Sequence, residues 1–180
     1  HIGASDMTLQ YYLLPFLEKY HEMYPGIKVK ITNGPTPETI EKLREGMFDF
    51  GLVSAPFDKI EDMEVIPVRE IEDVFVAGRK YIRLKNHMTD FHELTEYPVI
   101  SLEKNTSTRK YMDELLWQNQ VVLHPEFELA TSDMIVQFAL SNLGIGCVVR
   151  DFAKEYIESG KLFELRFNKM IPKRQICVIT

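Results

Sequence analysis

Hydrophobic and polar positions in the first third of the chain switch between strand-like and helix-like periods. Apolar residues from Leu9 to Tyr20 recur at helical spacing, which predicts a helix over 7–24 that ends at Pro25-Gly26. Pro15 lies inside this helix and is expected to bend it or to rearrange its first turns. The segments HIGAS, IKVKI and FDFGLVS are strand-like, and IEKLREGM has helical spacing. This βαβαβ order predicts a mostly parallel sheet with right-handed crossovers.

The same alternation continues to the end of the chain. Residues 64–81 (EVIPVREIEDVFVAGRKY) are typical of two adjacent strands. We predict further strands at 97–102, 127–130, 145–149, 162–167 and 175–180, and helices at 105–119, 132–144 and 151–160. A second βαβαβ set therefore covers about residues 80–145, and the fold class is α/β with two lobes.

These two sets predict two α/β subdomains with a ligand cleft between them, joined by two crossover strands near 75–80 and 147–151. Subdomain I would comprise residues 1–77 and 149–180, and subdomain II residues 78–148. No flexible Gly/Ser linker and no repeat of solenoid period interrupts this arrangement.

Small polar residues open every helix that follows a central strand. In a parallel α/β sheet these turns lie at the carboxyl ends of the strands, where ligands of such folds bind. In NGPTPETI, Thr36 is predicted to be the N-cap and Pro37 the first helical residue. Hydroxyls and helix N-termini converging from two lobes suit a small anion. Plain N-capping is the alternative interpretation of each turn. The turns are Ser5-Asp6-Met7-Thr8, Pro35-Thr36-Pro37-Glu38, Asn105-Thr106-Ser107-Thr108 and Thr131-Ser132-Asp133.

Composition and charge narrow the function classes. A net charge of −6, without a lysine or arginine stripe, argues against nucleic-acid binding by this chain alone. The five histidines lack metal-ligand spacing, no phosphate-binding or nucleophile motif is present, and no cofactor is predicted. Cys147 and Cys177 lie in apolar runs and are expected to be core residues of a cytoplasmic protein rather than a redox pair. Arg109 is expected to lie on the surface or at the hinge, because a single charge on an amphipathic helix is usually solvated, although a cleft-facing position that favours a carboxylate is open.

Three segments together resemble the effector-binding domain of LysR-type transcriptional regulators. They are IGAS…LLPFLEKYHEMYPGIKVKI…NGPTPETIEKLREGMFDFGLV, ELTEYPVISLEKNTSTRKYMD and SNLGIGCVV. The most specific parts are the YPGI join, the run through Leu43, Gly46, Asp49 and Gly51, and Gly144-Ile145-Gly146. The resemblance covers essentially the whole chain. The family's winged helix-turn-helix DNA-binding domain is expected outside this sequence.

The resemblance implies a periplasmic-binding-protein-like (type 2) fold with a small effector in the cleft. DNA would be contacted only through the winged-helix domain, and the chain would be neither an enzyme nor a membrane protein. A solute-binding protein of a transporter, or an enzyme of the same fold, is the rival interpretation. The effector contacts implied are Ser5, Asp6, Met7, Pro35, Thr36, Asn105, Thr106, Ser107 and Thr131.

A homodimer is predicted from helices 7–24 and 133–143, which are each apolar on more than one side. A helix covering its own sheet needs only one apolar stripe, so a second apolar face must be covered by something. The resemblance implies side-by-side dimers, with a tetramer possible in the full-length protein. Burial of helix 133–143 within a monomer is the alternative. The interface residues expected are Tyr11, Leu14, Ile135 and Phe138.

Overall fold

Twelve strands and six α-helices make up the computed structural model, which describes all 180 residues. The strands are β1 Ile2–Ala4, β2 Ile31–Asn33, β3 Phe50–Ser54, β4 Val65–Ile71, β5 Asp73–Ala77, β6 Met88–Thr89, β7 Val99–Leu102, β8 Phe127–Leu129, β9 Ile145–Val149, β10 Phe163–Glu164, β11 Arg166–Phe167 and β12 Arg174–Ile179. The α-helices are α1 Asp6–Thr8, α2 Leu14–Met23, α3 Thr36–Arg44, α4 Ser107–Gln118, α5 Ser132–Leu140 and α6 Arg150–Glu158. A π-helical turn, Leu9–Leu13, joins α1 to α2, and Arg79–Leu84 and Phe91–Glu96 are 3-10 helices.

The chain divides into two compact units, of which the first comprises 1–70 with 174–180 and the second 71–173. In the first unit the sheet has the order β2-β1-β3-β12-β4. β1 runs parallel to both β2 and β3, as predicted for a βαβαβ set, and β12 is antiparallel to β3. Its core contains Phe48, Val53 and Ile179, all less than a tenth exposed.

The second unit has a sheet of order β10-β5-β9-β7-β8. β7 is parallel to β8 and β9, while β5 is antiparallel to β9 and β10. A larger core lies against it and includes Phe75, Phe91, Leu94, Leu116 and Ile145. A separate parallel pair joins β6 to β11.

The boundaries of the two units differ from the predicted 1–77 with 149–180 and 78–148. β5 pairs with β9 over four residues, so 71–77 belongs with the second sheet. α6 packs against β5, β9 and β10, and Leu165 N–H donates to Phe75 O at 2.8 Å. Residues 149–173 therefore belong to the second unit as well, and the chain passes between units at 70/71 and 173/174.

The first predicted helix is interrupted before Pro15. Proline has no N–H to donate to the carbonyl of Tyr11 four residues earlier. That carbonyl accepts a hydrogen bond from the Arg69 guanidinium instead. The preceding turn, Leu9–Leu13, widens to π-helix, and α2 then resumes regular geometry with Pro15 in its first turn. The rearrangement expected at Pro15 is confirmed.

Other elements differ from their predicted bounds. Of the predicted strand 27–31 only Ile31 is a strand residue, and β2 continues from there to Asn33. The predicted strand 162–167 divides into β10 and β11 on either side of the buried Leu165. The 3-10 segments were not predicted. Cys147 and Cys177 are both buried and form no disulfide, as expected, and burial raises the pKa of the Cys177 thiol. No helix has the length and apolarity required to span a membrane.

Candidate functional site

The first unit brings two of the predicted polar turns to one edge of its sheet. Ala4, the last residue of β1, is in register with Asn33 of β2 and with Leu52 of β3. The parallel strands therefore deliver the turns that begin at Ser5 and at Gly34 to neighbouring positions. Gly34 N–H donates to Ala4 O at 3.1 Å, which fixes one turn against the other.

The turn after β1 is held by a capping box. Ser5 Oγ accepts from Thr8 N–H at 3.3 Å, and Thr8 Oγ1 accepts from Ser5 N–H at 3.0 Å. The buried Thr8 hydroxyl also lies 3.3 Å from Leu52 O of β3. Ser5 and Asp6 are half-buried, whereas Met7 is buried in the core. The capping box fixes the backbone of this turn, in which Ser5 and Asp6 remain partly exposed.

The turn after β2 differs from the prediction in its capping. Pro35, not Thr36, is the N-cap residue, and α3 begins at Thr36 with Pro37 in its first turn. The Thr36 side chain is buried, and its oxygen accepts from Ser54 N–H at 3.3 Å, which ties α3 to the end of β3. The hydroxyl proton of Thr36 is not used by that bond.

Asp6 is the one charged side chain among the nine predicted ligand residues. Its carboxylate accepts a hydrogen bond from the Asn33 amide, which stands at the end of the adjacent strand. The edge of the first sheet thus combines hydroxyl and N–H donors with one carboxylate. Asn33, Thr8 and Ser54 were not among the predicted site residues, although Thr8 belongs to the first predicted turn and Asn33 lies close to the second.

The second unit also brings its two polar turns together. Leu102 of β7 is in register with Leu129 of β8, and Glu103 N–H donates to Leu129 O at 3.0 Å. Thr106 caps α4, because its oxygen accepts from Arg109 N–H at 3.3 Å. Thr131 is the N-cap residue of α5, yet its side chain makes no capping hydrogen bond. The remaining predicted residues are Ser107, half-buried in the first turn of α4, and Asn105, which is exposed.

Arg109 is not solvated, so the expectation of a surface position was wrong. Its side chain is 4% exposed. Nε donates to both Asp113 oxygens at 2.8–2.9 Å, while Nη1 donates to Leu102 O at 3.0 Å and to Glu128 Oε2 at 2.8 Å. Burial lowers the pKa of Arg109, but the two carboxylates outweigh burial and the net shift is upward. Arg109 therefore fastens α4 to the ends of β7 and β8 and positions the turn at 103–107.

The four predicted interface residues differ in exposure. Leu14 is 55% exposed, and Tyr11 is half-buried. Phe138 is half-buried against Phe127, with ring centroids 5.3 Å apart. Ile135 is 0% exposed because it packs on β9 within its own unit, so it is not available to a partner.

Each sheet edge can hydrogen-bond a small polar molecule through hydroxyls and helix N-terminal N–H groups. No three His, Cys, Asp or Glu side chains are grouped so as to hold a metal ion. The chemistry present at these turns is hydrogen bonding by hydroxyl and N–H groups, with Asp6 as the one carboxylate acceptor among the nine predicted ligand residues.

Comparison with known proteins identifies relatives at the level of the whole chain. Residues 1–180 match the family described as LysR substrate binding domain. The chain is 22% identical to the HTH-type transcriptional regulator CysL of Bacillus subtilis over 99% of its length, covering 59% of that protein. Over 79% of its own length, the chain is also 24% identical to the HTH-type transcriptional activator CmpR of Synechocystis, and the match covers 46% of CmpR. It thus spans about half the length of these curated relatives.

Two solved structures share the fold. The CcmR regulatory domain of Synechocystis PCC6803, in complex with 2-PG, has a TM-score of 0.86 at 20% identity, with 99% of this chain and 85% of that one covered. The effector-binding domain of QuiR, in complex with shikimate, has a TM-score of 0.83 at 16% identity with the same coverage. The fold is periplasmic-binding-protein-like, type 2. Because the family match extends over all 180 residues, the chain belongs to the LysR substrate-binding domains, which are the effector-binding domains of LysR-type transcriptional regulators.

Proposed function

We propose that the chain binds a small anionic effector through the turns carrying Ser5 and Thr36 in the first unit and Ser107 and Thr131 in the second. The observation that carries this proposal is that each sheet edge joins two polar turns through the register of its parallel strands. Ligands of open α/β sheets bind at this edge. The binding event would be passed to a DNA-binding domain of the same polypeptide, since the curated relatives are HTH-type regulators about twice as long.

The available donors favour a carboxylate or similar anion. Thr36 retains a hydroxyl proton, and Thr131 is free of a capping bond. Helices α3, α4 and α5 also present their N-terminal N–H groups and positive dipole ends, which attract anions. The related CcmR and QuiR domains are described in complexes with 2-PG and with shikimate, and shikimate is a carboxylate.

Asp6 opposes an anion at the first turn. We therefore expect the charged group of the effector to lie toward the turns without a carboxylate, with Asp6 near an uncharged or hydroxylated part. Asp6→Asn keeps a polar side chain and removes the like charge, so it should tighten binding of a monoanion by a few-fold. Equal affinity of the two proteins would contradict contact between the effector and this turn.

The experiment is a thermal-shift screen of small carboxylates and phosphate esters, followed by calorimetry with the compound that stabilises the domain most. Thr36→Val should weaken binding about five- to tenfold through loss of one hydrogen bond, while Thr36→Ser restores it. Thr95→Val, on the exposed Thr95 of the second unit, is the matched control and should have no effect. Unchanged affinity in Thr36→Val would remove Thr36 from the site, and absence of any stabilising compound would contradict the anion class.

We propose further that the chain works as a cytoplasmic homodimer, with a tetramer open to the full-length protein, and that it senses without catalysing a reaction. The support for a dimer is the apolar surface of α2. No residue of this helix is buried, and the apolar side chains of Leu14, Phe16 and Met23 are each more than half exposed. A self-complementary contact between this helix and α5 of a second copy would be isologous.

A further inference from the structure

The segment 78–85 is strongly cationic within an acidic chain. Four of its eight residues are Arg79, Lys80, Arg83 and Lys85, it contains no carboxylate, and the net charge of the whole chain is −6. All four side chains are exposed. Such a local concentration of one sign of charge raises the local concentration of counter-charged ligands.

The backbone of this segment sorts its side chains into separate rows. Two 3-10 turns meet at Tyr81, and side chains three residues apart in such turns lie in line. Tyr81 and Leu84 form the buried row, at 8% and 5% exposure. A second row, Arg79, Ile82 and Lys85, lines an open depression of about 530 Å³. The exposed wall of this depression therefore alternates cation, apolar side chain and cation.

The cationic wall is held in place by the C-terminal end of α5. Lys80 N–H donates to Asn142 Oδ1 at 2.9 Å. A Cβ at Gly78 would lie 2.6 Å from Asn142 Oδ1 and 2.7 Å from Ala139 O, so only glycine permits this approach. The segment is thus fixed at both its start and its buried anchors, which reduces the entropy lost when a ligand is bound.

The opposite side of the depression adds a third cation and an apolar floor. Gly160 and Lys161 line it beyond the end of α6, and Leu140 and Phe163 complete the lining, which contains no acidic side chain. Helices α5 and α6 end nearby, and each helix end carries roughly half a negative charge. These two ends offset about one of the three lining cations, so a positive excess is left.

We propose that this depression is a second anion site, which binds a small organic polyanion with an apolar body. The charges of the ligand would pair with Arg79, Lys85 and Lys161, while its apolar part lies on Ile82, Leu140 and Phe163. A volume of about 530 Å³ falls within the usual range for small-molecule sites. None of the lining residues belongs to the four polar turns, so this site is separate from the proposed effector contacts.

The test uses benzene-1,3,5-tricarboxylate as the probe and amide shifts of the 15N-labelled chain as the readout. We expect saturable shifts at 79–85 and 160–163 that weaken as salt is added. Citrate, which has the same three carboxylates without the ring, should bind several-fold more weakly. The triple variant Arg79→Gln, Lys85→Gln, Lys161→Gln should raise the Kd for the aromatic probe at least about tenfold.

A charge-matched control separates this site from general attraction to cations. Lys19→Gln, Lys30→Gln, Lys110→Gln removes the same charge from exposed positions elsewhere and should change the Kd less than about twofold. Equal losses in the two triple variants would overturn the proposal. Shifts confined to the turns at Ser5, Thr36, Ser107 and Thr131 would also overturn it while supporting the proposed effector site. Binding of a short DNA duplex through the same cations, without shifts from the probe, would overturn the ligand class.

Discussion

Arg109 shows how a single buried guanidinium can fix the geometry of a polar turn at the edge of a sheet. Its donors reach the last residue of β7, a side chain of β8 and the next turn of α4. Three elements that meet at the edge of the second sheet are therefore joined by one planar group. Lysine, with a single point charge, cannot reproduce this fork of donors.

We expect Arg109→Met to lower the free energy of unfolding by about 2 kcal/mol, because charge-assisted hydrogen bonds are lost and Leu102 O is left unpaired. Arg109→Lys should recover only part of this loss. Urea denaturation provides the measurement, and Lys110→Met, at the exposed neighbouring position of the same helix, provides the control. Equal stability of Arg109→Met and wild type would mean that the network contributes nothing net.

Residue-scale contacts were the least predictable part of the molecule. The i,i+4 spacing of Arg109 and Asp113 is visible in the sequence, but such pairs are usually solvated. The contact that the sequence does not reveal is the bond from Arg109 to Glu128, 19 residues further on, which depends on the pairing of β7 with β8. The role of Thr36 was also not predictable from the local sequence. Its hydrogen bond with Ser54 N–H depends on strand order rather than on local capping preference.

Elements with a clear hydrophobic period were predicted well, and elements without one were missed. β5, β9 and α5 follow from apolar runs and helical spacing in the sequence. The 3-10 helices at 79–84 and 91–96 have a three-residue period over only two turns, which is too short to recognise. They are nevertheless important here, because the first of them forms the wall of the second anion site.

The exposed apolar surface of α2 predicts that this helix is part of a dimer interface. Large apolar side chains exposed by 40–58% extend from α2 into the following loop, and a monomer would leave this surface in water. They are Leu14, Phe16, Met23, Tyr24, Ile27 and Val29. Leu14→Glu would place a charge within the covered surface of a dimer and should yield a folded monomer, as measured by sedimentation velocity.

Two further variants make the dimer prediction specific. Met134→Glu tests the partner helix α5 at a position 45% exposed, and it should also produce a monomer. Met170→Glu, at 84% exposure away from both helices, should leave the dimer intact. A wild-type chain that sediments as a monomer at high concentration would contradict the interface altogether.

For the whole molecule, the relevant feature is that only two chain crossings join the units, at 70/71 and 173/174. On the side of the first unit, Arg69 donates to Tyr11 O and Arg174 Nη1 donates to Ala55 O at 3.0 Å. On the side of the second unit, Lys173 pairs with Glu72 at 3.1 Å and so ties the two crossings to each other. Each crossing is thus anchored on both sides of a short stretch of backbone.

The two-unit architecture itself followed from the order of strands and helices, whereas the first crossing was predicted 7 residues too late and the second 25 residues too early. The apolar run through Val76 and Ala77 gives no sign of which sheet it joins. Only the antiparallel pairing of β5 with β9 decides that point. Hinges therefore depend on long-range pairing that a local pattern does not contain.

Since the proposed effector contacts come from both units, the effector should bind a closed arrangement of the units better than an open one and shift the population toward it. The change in backbone angles is expected at 70–72 and 172–174, because residues on either side are fixed to their own unit. Small-angle scattering with and without saturating effector should give a smaller radius of gyration for the complex. The same experiment on Thr36→Val at equal effector concentration should show less compaction, in proportion to its lower occupancy. Identical scattering curves for the free and saturated wild-type domain, with binding verified by calorimetry, would show that the units do not close and that the signal leaves the domain by another route.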